Sequence, residues 1–215
     1  MNESRRTVRK GNSDMTDKPT IDTARLEASE KFMELQRASH IKALPTAFIV
    51  EATERTKQIA IMNASPRAKL GKLYTLVDEY AAMRQPYVAC KEGCDSCCHM
   101  KVELTNVEAE RIAKATGIAA QPLGFSTNNS DEKFAGLACP FLKDHKCSIY
   151  DDRPLTCRGH ASFDSDSYWC ATERMLAVKL PMVSVGEALA VNRLIAQTTA
   201  HPVIADIREF FPSRQ

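Results

Sequence analysis

All eight cysteines of this 215-residue chain lie between Cys90 and Cys170, and none falls in the long flanks. Cysteines that only fill a core would scatter along the sequence. With 44% hydrophobic residues the chain can bury a core without covalent staples. The polar start, Met1 to Thr20, leads into no apolar signal core or small-residue cleavage site. No apolar run approaches the roughly 20 residues of a membrane-spanning helix. The expectation is a cytoplasmic protein whose thiols stay reduced, where a dense cysteine cluster binds metal or does redox chemistry more readily than it forms disulfides.

Charge narrows the partners. Twenty-nine basic and 27 acidic residues are mixed along the chain for a net +2, so neither nucleic acid nor a membrane is expected as a partner. Arg5, Arg6, Arg9 and Lys10 read as part of a solvated tail.

The first cysteine group is Cys90, Cys94, Cys97 and Cys98, four thiols within nine residues. On an ideal helix these offsets keep the sulfurs on one stripe, and Gly93 makes a looped turn equally compatible. Adjacent Cα atoms, about 3.8 Å apart, are too close for an ordinary disulfide between Cys97 and Cys98. A cation relieves the crowding, because several thiolates can share one positive centre. The second group runs Cys139-Pro-Phe-Leu, Cys147-Ser-Ile-Tyr and Arg153-Pro-Leu-Thr-Cys157-Arg158.

Around these groups the pattern is helical. Asp22 is a candidate N-cap for a helix reaching His40, with Leu26, Phe32, Met33 and Leu35 available for burial. Another helix follows Pro45. Ser65-Pro66 reads as N-cap and first helical residue ahead of Leu70, Leu73, Val77 and Tyr80. Thr105 to Glu108 forms a capping box for a helix that stops at Gly117. Residues 121–136 read as a loop between the cysteine groups, and Ser184 to Glu187 as a second capping box before Leu189, Val191, Leu194 and Ile195. The fold class is mainly α: a small irregular helical domain organised around a cysteine-ligated metal site, with flanking helices and room for a short strand near the cysteines. Its segments are a disordered polar tail (1–20), an N-terminal helical region (21–88), a cysteine-cluster metal-binding domain (89–170) and a C-terminal helical region (171–215).

The two cysteine groups together resemble the YkgJ-like cysteine-cluster family, the zinc- or iron-chelating domain. In that family four close cysteines are followed by Cys-Pro-Phe-Leu, Cys-x-Ile-Tyr and Arg-Pro-x-x-Cys-Arg, as here from Cys90 to Arg158, about a third of the chain. The resemblance implies Cys90, Cys94, Cys97, Cys98, Cys139, Cys147 and Cys157 as the metal-binding set. Cys170 falls outside the signature, and Gly159-His160-Ala161 departs from it. Seven thiols exceed the four ligands of one tetrahedral zinc, so two metals, a cluster, or one metal with spare thiols remain open. The expected cofactor is iron or an iron–sulfur cluster, with zinc as the alternative. The two cysteine groups are expected to meet in one shared site.

Other residues take supporting roles. Arg153 and Arg158 either offset the negative charge of a thiolate site or pair with Asp151 and Asp152. Phe141, Leu142, Ile149 and Tyr150 are expected to shield the site, and Pro154 to start a helical turn. His99, His145 and His160 lie close to cysteines, which alone does not make them ligands, while His40 and His201 lack that context. The Cys90, Cys94, Cys97 spacing is similar to that of radical S-adenosylmethionine enzymes, but the repeated strand–helix pattern of their barrel is missing. The cluster also resembles that of the longer flagellin lysine N-methylases, which leaves lysine methylation of a protein substrate as an alternative. The chain has no glycine-rich strand-to-helix turn for a nucleotide-like cofactor. A third alternative is a thiol redox switch using spare cysteines such as Cys98 or Cys170.

Overall fold

The computed structural model describes residues 21–178, 180 and 185–212. The polar stretch 1–20 and Ser184, the expected cap of the last capping box, lie outside them. The elements are α1 (Thr23–Ala43), α2 (Thr46–Ile61), α3 (Pro66–Arg84), β1 (Glu103–Thr105), α4 (Asn106–Thr116), β2 (Leu142–Lys143), β3 (Lys146–Cys147), α5 (Leu155–Gly159), α6 (Thr172–Ala177), α7 (Gly186–Gln197), β4 (Ile204–Asp206) and α8 (Ile207–Phe210). The protein is mainly α, a small irregular helical assembly.

Local chemistry sets the helix ends. Asp22 accepts from the Arg25 amide at the start of α1, and the Ser65 hydroxyl accepts from the Ala68 amide with Pro66 at the first position of α3. Thr105 and Glu108 close the expected capping box on α4. Gly117 ends that helix at φ +72°, a left-handed conformation a side chain would resist.

Two apolar cores follow. One joins Leu70, Leu73, Leu76 and Val77 of α3 to Ile59 of α2, Leu155 of α5, and Val191 and Ile195 of α7. The other joins Val102, Leu104, Ile112, Phe141 and Ile149 to Ala205, Ile207, Phe210 and Phe211. Within the second core, β1 and β4 pair antiparallel, Leu104 opposite Ala205, tying residues 204–206 to the strand beside the first cysteine group.

Glu108 links the cores. Its buried carboxylate accepts from Tyr74 Oη at 3.1 Å, the Thr105 amide at 2.8 Å, the Leu155 amide at 2.7 Å and Asn192 Nδ2 at 2.8 Å, which joins α3, α4, α5 and α7.

Helix α1 departs from expectation. It buries Ser29, Met33 and His40, a narrow stripe with spacings of four and seven, whereas Leu35 is 68% exposed. Two residues beyond Met33, Leu35 points to the opposite side of the helix. His40 packs among the rings of Tyr80, Tyr87 and Phe163, its Nε2 3.3 Å from Tyr80 Oη and its Nδ1 without a partner. Burial, and secondarily Arg84, lowers its pKa below 6.5. The stability it contributes is therefore full above that value and is lost as pH falls through the lowered folded value. Acidification from neutral pH should lower the melting temperature of the wild type more than that of His40→Phe; equal losses in thermal melts would contradict this.

Candidate metal centre

The first cysteine group does not form a helical stripe. Lys91 to Cys94 makes a turn, with the Cys94 amide 3.1 Å from the Lys91 carbonyl and Gly93 at φ +84°. Ser96–His99 then forms one short 3-10 turn. The cluster is anchored at both ends. Gln85 Nε2 donates to the Cys90 carbonyl at 2.9 Å and the Ala89 amide to the Ser162 carbonyl at 2.9 Å. The Cys98 carbonyl receives the Cys139 amide at 2.7 Å and an Arg208 guanidinium nitrogen at 3.1 Å.

That contact brings the second group onto the first. The β2–β3 hairpin turns through Asp144 and His145, at φ 48° and 60°, and sets Leu142 opposite Cys147. Cys157 projects from α5, whose N-cap is Pro154, as expected. Cys139, Cys147 and Cys157 all pack against the core built around Val102 and Phe141. Two sulfurs receive backbone amides from two residues on, Cys139 from Phe141 and Cys147 from Ile149. Such donors stabilise a thiolate.

The thiols respond to one another in two sets. Burial first, and then charge on Cys98, raises the thiols of Cys139, to about 11, and of Cys147; burial and then the charges of Cys139, Cys98 and Cys147 raise Cys157. Burial likewise raises Cys90, beside Cys94, and lifts Cys170 to about 11, within reach of both Cys90 and Cys94. Cys97 stands between the sets. Its hydrogen bond with Cys98 raises Cys97 and lowers Cys98, and Cys157 and Cys90 both lie within its reach. All eight cysteines are free and half-buried. Among the described residues, no three His, Cys, Asp or Glu side chains converge closely enough to hold a metal ion as they stand.

The flanking residues divide. Phe141 and Ile149 are buried beside the cysteines, but Tyr150 is 63% exposed, its ring stacked under Arg153 with 3.7 Å from Cζ to the centroid, so it does not shield the cluster. Arg158 is buried and pairs with Asp78 at 2.5 Å, with further bonds to the Asp151 and Arg153 carbonyls. Its ion pair is thus with α3, and Asp152 binds Arg111 instead. The charges of Arg153 and Arg158 still favour the Cys147 thiolate. His99 and His145 turn toward Asp95, at 3.2 Å from its carbonyl and 2.7 Å from its carboxylate. His160 lines a cavity of about 210 Å³ with Met100, Lys101, Asp131 and Thr172.

Sequence reasoning missed two residues that hold this region together. Arg84 holds the Gly159 and Arg158 carbonyls at 2.9 and 3.2 Å, and Arg208 ties the Cys98, Met100 and Leu137 carbonyls together. Nothing local in sequence marks either arginine. Cys170, set outside the signature in sequence, has Cys90 and Cys94 among its charged neighbours.

The middle of the chain is similar to a known cysteine-cluster domain. Residues 89–173 match the CxxCxxCC family model, described as a "putative zinc- or iron-chelating domain". The matched stretch runs beyond Arg158 and takes in Cys170. The match carries no link to the flagellin lysine N-methylases. No curated protein and no solved structure matches the chain. No described helix is long and apolar enough to cross a membrane.

Proposed function

We propose that this is a metal-binding protein, chelating iron, as an ion or an iron–sulfur cluster, or zinc through its cysteines. One observation carries the reading: Cys139, Cys147 and Cys157, from three separate segments, pack against one core, and the Cys139 amide donates to the Cys98 carbonyl at 2.7 Å, which brings the first cysteine group to them. Packing alone gives these thiols little reason to gather.

The donor set suits the cation. Soft thiolates select zinc and iron–sulfur centres over hard cations. Four thiolates on a divalent ion leave a net charge of about −2, and Arg208, Arg153 and Arg158 lie where their charge offsets it. The Phe141 and Ile149 amides would orient sulfur lone pairs toward a ligated ion. A fully ligated zinc would give a structural or storage centre, and an iron–sulfur cluster would add electron transfer.

Thiol counting tests the reading. The native chain should show fewer than eight thiols reactive toward a thiol reagent, with the remainder released together by a strong chelator. Eight thiols reacting freely before chelation would contradict metal binding.

A further inference from the structure

We propose that α1 is a latch on the rest of the chain: acid charges His40, near its C-terminal end, and releases the helix from the segment carrying Phe163 and Trp169 while both apolar cores stay folded. A long helix is held here by little. It spans 21 residues and buries Ser29, Met33 and His40, and among the described residues neither core includes any of α1. Its other ties are polar. Trp169 Nε1 donates to Ser29 Oγ at 2.9 Å, and Arg25 pairs with Asp166 at 2.6 Å and lies over the Tyr168 ring, 3.6 Å from its centroid. Both partners of the ion pair meet solvent, so it contributes little. An element with so few buried apolar contacts opens locally at a lower free energy than a core does.

His40, 1% exposed, is the tie that titrates. Tyr80 and Arg84 reach it from α3, Tyr87 from the turn that follows α3, and Phe163 from beyond α5. The neutral ring is served by Tyr80 Oη at Nε2, while Nδ1 is buried without a partner. Once protonated, both nitrogens must donate, and the new N–H has no acceptor in a cage of three rings. Arg84 cannot withdraw its charge, because both terminal nitrogens are held by the Gly159 and Arg158 carbonyls. No acid compensates. Along α1 from Gln36 to Ala43 the charged neighbours of His40 are Arg37 and Lys42, and the Asp164 carboxylate beside Phe163 is turned to the Ser165 amide and hydroxyl. The last turn of a helix favours a cation, yet burial and then Arg84 hold the docked imidazole below its ordinary 6.5. Released, it returns to about 6.5. Below that pH proton uptake favours the released helix, and docking weakens as pH falls toward the lowered value.

The latch covers a sensitive place. Phe163 and Trp169 are buried while α1 is docked, and the carbonyl of Ser162, beside Phe163, receives the Ala89 amide that anchors the start of the first cysteine group. Release of α1 therefore bares the segment on which that anchor stands, without a change in the helices that carry the cores. Trp169 is the chain's only tryptophan, so its emission reports the docked helix directly.

Tryptophan emission and hydrogen exchange of the full chain, followed from neutral pH to about pH 5, test the proposal. In the wild type Trp169 emission should move reversibly to longer wavelength. Over the same range the amides of α1 should exchange about tenfold faster or more, after correction for the intrinsic pH dependence, while those of α3 and α7 keep their protection. His40→Phe, which fills the cage with a ring that takes no proton, should hold both signals at their neutral-pH values. Emission and α1 exchange that stay constant in the wild type would overturn the proposal. So would an equal response in His40→Phe, or protection lost from α3 and α7 together with α1, which is global unfolding rather than a latch. If circular dichroism shows that His40→Phe does not fold at neutral pH, His40→Gln carries the same expectation, and the contrast between α1 and the core helices in the wild type decides without any variant.

Discussion

Arg208→Ala should destabilise the protein by about 3–5 kcal/mol, the usual cost of breaking a buried ion pair from one side. The Asp206 side chain is fully buried and pairs with Arg208 Nη1 at 3.0 Å. It also accepts from the Val102 amide at 2.7 Å. Without the guanidinium its charge loses its ion-pair partner, and the Cys98, Met100 and Leu137 carbonyls lose their common donor. Lysine should rescue little, because a single ammonium cannot reproduce a fork that reaches three carbonyls. The turn bearing Cys97 and Cys98 should loosen as well, increasing alkylation of Cys98. Urea unfolding measures the first effect, and a loss under about 1 kcal/mol would show that the network is not a structural tie.

Glu108→Ala should have a comparable effect, about 3 kcal/mol or more, for a different reason. Its carboxylate is the common acceptor for Tyr74, Thr105, Leu155 and Asn192, so its removal leaves several buried donors unsatisfied at once. Glu108→Gln should recover part of the loss. The amide oxygen can still accept, but its NH2 would face the backbone donors of Thr105 or Leu155. The Glu108 and Arg208 networks share no residue in these contacts, so the double variant should lose nearly the sum of the single losses in equilibrium unfolding. A double variant no worse than the weaker single one would mean that the two cores unfold separately.

The parts of this fold governed by local chemistry were legible in sequence. Ser65-Pro66, the Thr105 to Glu108 box and Gly117 act within a few residues of where they stand, and each lies at the helix end it implies. Long-range pairing was not legible. The β1–β4 ladder joins strands about a hundred residues apart, each only three residues long, too short to show a period. The same limit hid Arg84 and Arg208, whose partners are carbonyls, and a carbonyl looks alike at every position. Tyr150 and Leu35 failed as shielding and burial candidates because hydrophobic character does not say which side of an element meets the core. Motif recognition located seven of the cysteines, but membership in a motif does not assign partners. Cys97 and Cys98 are adjacent in sequence, yet both lie within reach of Cys157 from the far end of the motif.

The most direct test of metal binding is elemental and acid-labile sulfide analysis of the full chain purified anaerobically. The account predicts at least one zinc or iron per chain, with sulfide matching iron if the centre is an iron–sulfur cluster. A folded chain containing neither metal, and taking up neither when iron, sulfide or zinc is supplied under reducing conditions, would contradict it.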